Sequence, residues 1–155
     1  MSVTRRLLRE KAMQVLYAFE ITKDPIEQIK QAQLKEIEKK EDRKFINLIV
    51  DSTIENNLPY EETIKNTVDN WDMERIALID AIIIKMCITE FLYFEDIPPK
   101  VSINEAIDIA KEFSTKNSGK FVNGVLDAIL VRLKEENKIA KKGKGLIGEK
   151  KSALT

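Results

Sequence analysis

Histidine is absent from this chain of 155 residues, and Cys87 is its only cysteine. Zinc sites built from His and Cys are thereby excluded, as is a histidine general base. A lone cysteine cannot close an intrachain disulfide, which points to a reducing cytoplasm. Glycine is scarce at five residues, three of them after residue 140, and proline is limited to four. A body so poor in turn residues does not suit a β-sandwich or barrel, which needs a turn every few residues. No run approaches the roughly 20 apolar residues of a membrane span. The opening MSVTRRLLREK is broken by charge throughout, so it does not read as a secretory signal.

What is present is a large apolar share, 43%, beside 34% charged residues, enough for a packed core in one domain. The net charge is zero, with 26 basic and 26 acidic side chains. Their distribution is uneven. Residues 1–11 are net +3, residues 134–155 are net +4, and the middle is net −7. Basic ends on an acidic body suit an anionic partner, or else a solvated tail and ordinary helix-start charges.

Apolar spacing is helical along most of the chain. Leu8, Ala12, Val15, Leu16 and Phe19 form one face. Asp24 reads as the cap of a second helix starting at Pro25, with Ile26, Ile29, Leu34 and Ile37 on an outlying, Lys- and Glu-rich segment. Asp42 reads as the cap of a third, with Phe45, Ile46, Ile49 and Thr53 inward, broken at Leu58-Pro59. Ile64, Val68 and Trp71 mark a fourth, and Asp72 caps a fifth. That fifth helix carries Ile76, Ile79, Ile83 and Met86 and is buried around much of its circumference. Ser102 to Glu105 has the pattern of a capping box for the sixth, with Ile103, Ala106, Ile107, Ala110 and Phe113 as its stripe. After a polar loop from Ser114 to Gly119, Phe121, Val125, Leu126, Ile129 and Leu133 form the last. The expectation is an all-α fold of about seven helices over residues 1–137, followed by a Lys- and Gly-rich tail, 138–155, expected to be disordered.

Little here supports catalysis. No phosphate-binding glycine loop occurs, and Cys87 lacks a histidine to activate it and lies among apolar residues. No catalytic residue, metal ligand or cofactor site is assigned. The first helix is more informative. Arg5, Arg6 and Arg9 fall within two turns, with Arg5 and Arg9 on one face, read as opposed to Leu8, Ala12 and Val15. Guanidinium groups hold phosphates bidentately and stack on bases, so this cluster points to RNA or to acidic residues of the body.

Four blocks now carry a resemblance. Arg5-Arg6-x-x-Arg9-Glu10-x-Ala12-x-Gln14-x-Leu16-Tyr17 opens it, and Trp71, Arg75-Ile76 and the Ile-rich helix through Glu90 continue it. It is strongest in Val101-x-Ile103-Asn104-Glu105-Ala106-Ile107-x-Ile109-Ala110-Lys111-x-Phe113 and closes with Ser118-x-Lys120-Phe121-Val122-Asn123-Gly124-Val125-Leu126-Asp127. In order and spacing these resemble the NusB family of bacterial transcription antitermination factors, over about residues 4–133. The resemblance implies a NusB-like fold of two small helical subdomains. It implies binding to the single-stranded boxA element of ribosomal RNA leaders together with NusE, a small-subunit ribosomal protein. It further implies assembly with other Nus factors on RNA polymerase, in the cytoplasm and away from membranes. Both monomers and homodimers belong to such a family.

By the matched positions, Arg5, Arg6, Arg9 and Tyr17 on the first helix are RNA candidates. Asp80 and Lys85 join them from the fifth helix, and Asn117, Ser118 and Lys120 from the loop before the last. Each has a plainer reading. Tyr17 could be half-buried, Asp80 and Lys85 ordinary surface charges, and Ser118 the cap of the last helix. Phe121, Val122, Val125 and Leu126 read as core, Asn123 as buried with hydrogen bonds, and Gly124 as a point of close helix packing. Asn104 and Glu105 read as structural. Two departures thin the basic surface: Leu7 and Leu8 stand where a denser basic start is common, and Lys85 lacks the fork of an arginine. They leave room for a helical adaptor that binds protein without reading RNA. A second alternative is the RNA-binding domain of a ribosomal RNA methyltransferase, which has a NusB-like fold; with no nucleotide-binding βα unit in this sequence, it could act only in trans. Exposed parts of the fifth and sixth helices are the expected NusE face.

Overall fold

A computed structural model describes residues 4–68 and 76–139. Trp71, Asp72, Arg75 and the tail from residue 140 lie outside the described residues. Seven helices and no strand occur among them, in two compact units, Met1–Asn56 and Asn57–Thr155.

The first unit holds α1 (Arg5–Thr22), α2 (Ile26–Gln33) and α3 (Lys40–Glu55), with α1 packed on both others. Thr4 caps α1 by accepting the Leu7 N–H at 3.2 Å. The helix ends at Lys23, whose left-handed φ of 61° turns its N–H back to the Phe19 carbonyl. Leu8, Ala12, Val15 and Leu16 are buried as their spacing requires, against Phe45, Ile46, Ile49 and Val50 of α3.

Three expectations in this unit need correction. The cap of α2 is Pro25, not Asp24, because its carbonyl takes the first helical bonds, from Gln28 and Ile29. Leu34 and Ile37 are not on an outlying helix, since α2 stops at Gln33 and both residues are buried in the chain that follows. Arg43 makes this possible by donating to the Leu34 and Ile37 carbonyls at 2.6 and 2.5 Å, satisfying backbone that has left helical bonding. Third, α3 begins at Lys40, with Lys39 at the cap. Asp42 instead sits in its first turn beside Glu41, where the helix dipole favours an acid.

The second unit holds α4 (Asn57–Thr67), α5 (Leu78–Tyr93), α6 (Pro99–Phe113) and α7 (Ser118–Glu135). Helix α5 is in contact with all three others, and every residue from Asp80 to Phe91 is buried. That wrapping explains why its sequence is apolar on all sides rather than striped. The break at Leu58-Pro59 lies slightly earlier, at Asn56, and Pro59 fits into the first turn of α4, where a missing N–H costs nothing.

Helix α6 likewise starts before its expected cap. Pro98 is the cap and Pro99 the first helical residue, because prolines preset φ and need no N–H partner there. Ser102 is thus inside the helix and buried, donating to Glu90 Oε1 at 2.7 Å and tying α6 to α5. On α7, Val122, Val125, Leu126, Ile129 and Leu133 form the core face. At 100° per residue, Phe121 and Asn123 flank that face and Gly124 points away from it. Accordingly Phe121 is 36% exposed, Asn123 is exposed, and a Cβ on Gly124 would meet nothing within 4 Å. The close approach belongs to Gly119, where a Cβ would lie 2.8 Å from Lys111 Cε and 3.0 Å from its Cγ. Cys87 is buried, and no described helix is long and apolar enough to cross a membrane.

Candidate nucleic-acid interface

In the first unit, the head of α1 gathers the arginines. Arg5 lies over the Phe45 ring, its guanidinium carbon 4.1 Å from the centroid, and Arg9 stands over the same ring at 5.5 Å. The two share a face, but not one opposed to the core. Arg5 is seven residues from Ala12, about 20° short of two full turns, so it stands almost above a core residue. Arg9 is consequently 4% exposed. Arg5 is exposed and Arg6 half-buried. Eleven residues on, Tyr17 returns to nearly the direction of Arg6 and is 39% exposed, so its ring is open to solution. Phe45 had no place among the sequence candidates. An aromatic on α3 could be matched to the arginines of α1 only through the packing of the two helices.

In the second unit, the start of α7 meets the start of α5. The Ser118 hydroxyl donates to Asp80 Oδ2 at 2.9 Å and accepts the Thr115 N–H at 3.1 Å. It is the first helical residue and Asn117 is at the cap position, without a side-chain cap bond. Ser118 and Asp80 are 2% and 6% exposed, so neither is an ordinary surface group. Asp80 Oδ1 is buried with no hydrogen-bond partner. Beside this pair lies a cavity of about 230 Å3, walled by Ile76, Ala77, Asp80, Thr115, Asn117, Ser118 and Phe121. Asn117 and Lys120 are exposed. Ile76, Ala77, Thr115 and Phe121 were not singled out for binding. The signal for Phe121 was its position 100° off the core stripe.

Lys85 belongs elsewhere. Five residues after Asp80, it emerges about 140° around α5. Its Nζ lies 3.0 Å from Glu61 Oε1 and donates to Asn57 Oδ1 at 2.6 Å, both on α4. Asn57 and Glu61 stand one turn apart, and Asn57 also donates to Glu61, at 3.3 Å. Their i, i+4 spacing is visible in the sequence, but the residue they hold is not. Lys85 is 8% exposed and part of the packing of α5 on α4. The candidates therefore form one group in the first unit, Arg5, Arg6, Arg9 and Tyr17, and one in the second, Asp80, Asn117, Ser118 and Lys120. Among the described residues, no cluster of three or more acidic or cysteine side chains could hold a metal ion.

The NusB family model matches residues 6–131. The chain belongs to the NusB family. A transcription antitermination protein NusB from Salinibacter ruber is 45% identical over 148 residues, covering 94% of this chain and 92% of its own. The solved structure of T. maritima NusB superposes with a TM-score of 0.77 at 33% identity, over 83% of this chain and 92% of that one. The same fold recurs in a crystal structure of the antitermination factors NusB and NusE in complex with double-stranded RNA. There the TM-score is 0.74 at 20% identity, over 83% of this chain and 96% of that one. The NusB resemblance of the sequence motifs and the seven-helix, two-unit fold thus agree. The chain is a transcription antitermination factor and not an enzyme.

Proposed function

We propose that this NusB protein binds the single-stranded boxA element of ribosomal RNA leaders together with NusE. With other Nus factors it keeps RNA polymerase processive, in the cytoplasm, as a monomer or a homodimer. The observation that carries this reading is the entry to α7. There Asn117 and Lys120 are exposed on either side of a buried Ser118–Asp80 hydrogen bond. Such a surface offers a base edge its hydrogen bonds and a backbone phosphate its cation. Arg5 and Arg6 at the head of α1, and the open ring of Tyr17, supply phosphate contacts and stacking from the first unit. Arg9 and Lys85 contribute from beneath the surface, through Phe45 and through α4. A NusB relative of the same fold, solved with NusE and RNA, supports the pairing of partners. For NusE, Tyr93 at the end of α5 and Val101 in α6, 47% and 45% exposed, offer apolar contacts.

The test is binding to boxA RNA and to a scrambled RNA, with and without NusE, across a salt series. Log K is expected to fall with log salt at about −0.7 per phosphate contact. A preference for boxA, raised by NusE and lowered by Arg5→Ala with Arg6→Ala, supports the reading. Equal weak binding to both RNAs, with NusE still held tightly, supports the protein-binding adaptor instead. One observation favours that second reading: Lys85 and Arg9 are buried against α4 and Phe45, which leaves fewer cations at the surface.

A further inference from the structure

Phe45 is 5% exposed in the core of the first unit, yet its ring carries two cations. The Arg9 guanidinium reaches it from a buried residue, and the Arg5 guanidinium, at 4.1 Å, from an exposed one. Among the described residues, Arg5 has that ring as its partner and no carboxylate, and the first turn of α1 contains no acid to neutralise it. Lys11, further along the same helix, is by contrast paired with Glu36. A guanidinium over a ring is held through its face, while its N–H donors lie in its plane. The contact with Phe45 therefore restrains the side chain without using the fork that meets a phosphate.

We infer that Phe45 is a positioning residue for RNA, whose ring holds the Arg5 guanidinium in place before a backbone phosphate meets its edge. The inference rests on the RNA-binding reading above and adds to it a buried residue that itself touches no RNA. A free arginine samples many rotamers, and a ligand that requires one of them loses affinity in ordering it. On the ring of Phe45 that ordering is done by the fold. Leucine at this position keeps an apolar side chain and removes the π face, whereas tyrosine keeps the face.

The experiment uses the full chain with NusE and a boxA RNA, and compares Phe45→Leu, Phe45→Tyr, Arg5→Ala and the double variant Phe45→Leu with Arg5→Ala. Phe45→Leu is expected to weaken RNA binding by roughly two- to tenfold, the cost of immobilising one rotamer-rich side chain. In the Arg5→Ala background the same substitution should change affinity by less than about twofold, because Phe45 acts through Arg5. Phe45→Tyr should bind as the wild type does. Val50→Ala, a change at a fully buried residue five positions along α3, controls for lost stability and should leave RNA affinity unchanged. In the free protein, nitrogen relaxation of the Arg5 Nε–Hε group should show it ordered in the wild type and in Phe45→Tyr, and mobile in Phe45→Leu.

The inference is overturned if Phe45→Leu binds RNA as tightly as the wild type. It is also overturned if that substitution costs the same with and without Arg5, which would make the effect one of folding alone. A mobile Arg5 Nε–Hε group in the wild type overturns it too, and that measurement stands whether or not Phe45→Leu folds. Failure of the RNA reading looks different: the wild type itself then binds no RNA, and the inference falls with it. Where the wild type binds and the variants do not differ from it, the inference alone falls.

Discussion

Lys85 on α5 and Glu61 on α4 form an ion pair at 3.0 Å, with side chains 11% and 28% exposed. Lys85→Met removes the cation while leaving Glu61 and Asn57 without their shared donor. We expect a loss of roughly 1.5–3 kcal/mol, the range for a hydrogen bond to a charged group. Lys85→Arg should recover most of it. Urea unfolding checks both, and a Lys85→Met protein as stable as the wild type would remove Lys85 from the packing of α5.

The arginines of α1 should separate by the same measurement. Arg5 is exposed, and a cation over an aromatic ring at such a site contributes about 0.5–1 kcal/mol. Arg5→Ala is expected to cost no more than that. Arg9 is 4% exposed over the same ring, so Arg9→Ala should cost more. Phe45→Ala takes away the one buried ring on which both arginines rest, at about 3–5 kcal/mol. Equal costs for Arg5→Ala and Arg9→Ala would contradict the burial of Arg9.

Gly124 faces open space in the middle of α7. Alanine there should stabilise the protein by about 0.5–1 kcal/mol, the difference in helix propensity. Gly119→Ala should not, because its Cβ would press on Lys111. The contrast between the two midpoints in urea is the readout. Unchanged or lower stability in Gly124→Ala would mean that the outer face of α7 is covered.

Tyr60 gives the pH dependence. Its hydroxyl is pushed from an ordinary 10.0 up to about 12, first by burial and then by nearby Tyr93, against an opposing hydrogen bond to Thr89. The raised value favours the protonated form in the folded state. Its contribution to stability is therefore complete below pH 10 and lost as the pH rises toward 12. Tyr60→Phe should be less stable than the wild type at neutral pH, having lost the Thr89 bond, and that deficit should shrink above pH 10. Thermal melts from pH 8 to 12 check this. A constant deficit would place Tyr60 in contact with water.

Helix number, helix type and the apolar core were legible because burial follows a 3.6-residue period. Leu8, Ala12 and Val15 on α1, and Val125, Ile129 and Leu133 on α7, are where that period puts them. Helix starts were less legible. Several residue types can cap, and Pro98 and Arg43 reorganise the backbone in ways that Ser102 and Leu34 do not announce. Among the site residues, the sequence leaves Tyr17 open between exposed and half-buried, and it does not show that Arg9, Asp80 and Lys85 are buried. Charge alone predicts solvent. Their burial is made tolerable by Phe45, Ser118 and Glu61, each on another helix and up to 38 residues away. Pairings at that range are tertiary facts without a local signature.

The burial of α5 on every side has a consequence for recognition. Asp80 is rooted in a helix held by three neighbours, so its carboxylate is already oriented before any ligand arrives. On the proposed RNA reading, a partner meeting it would forfeit little conformational freedom on the protein side. On that reading, the contribution of this point to a complex would be expressed mainly in how long the complex lasts, not in how quickly it forms.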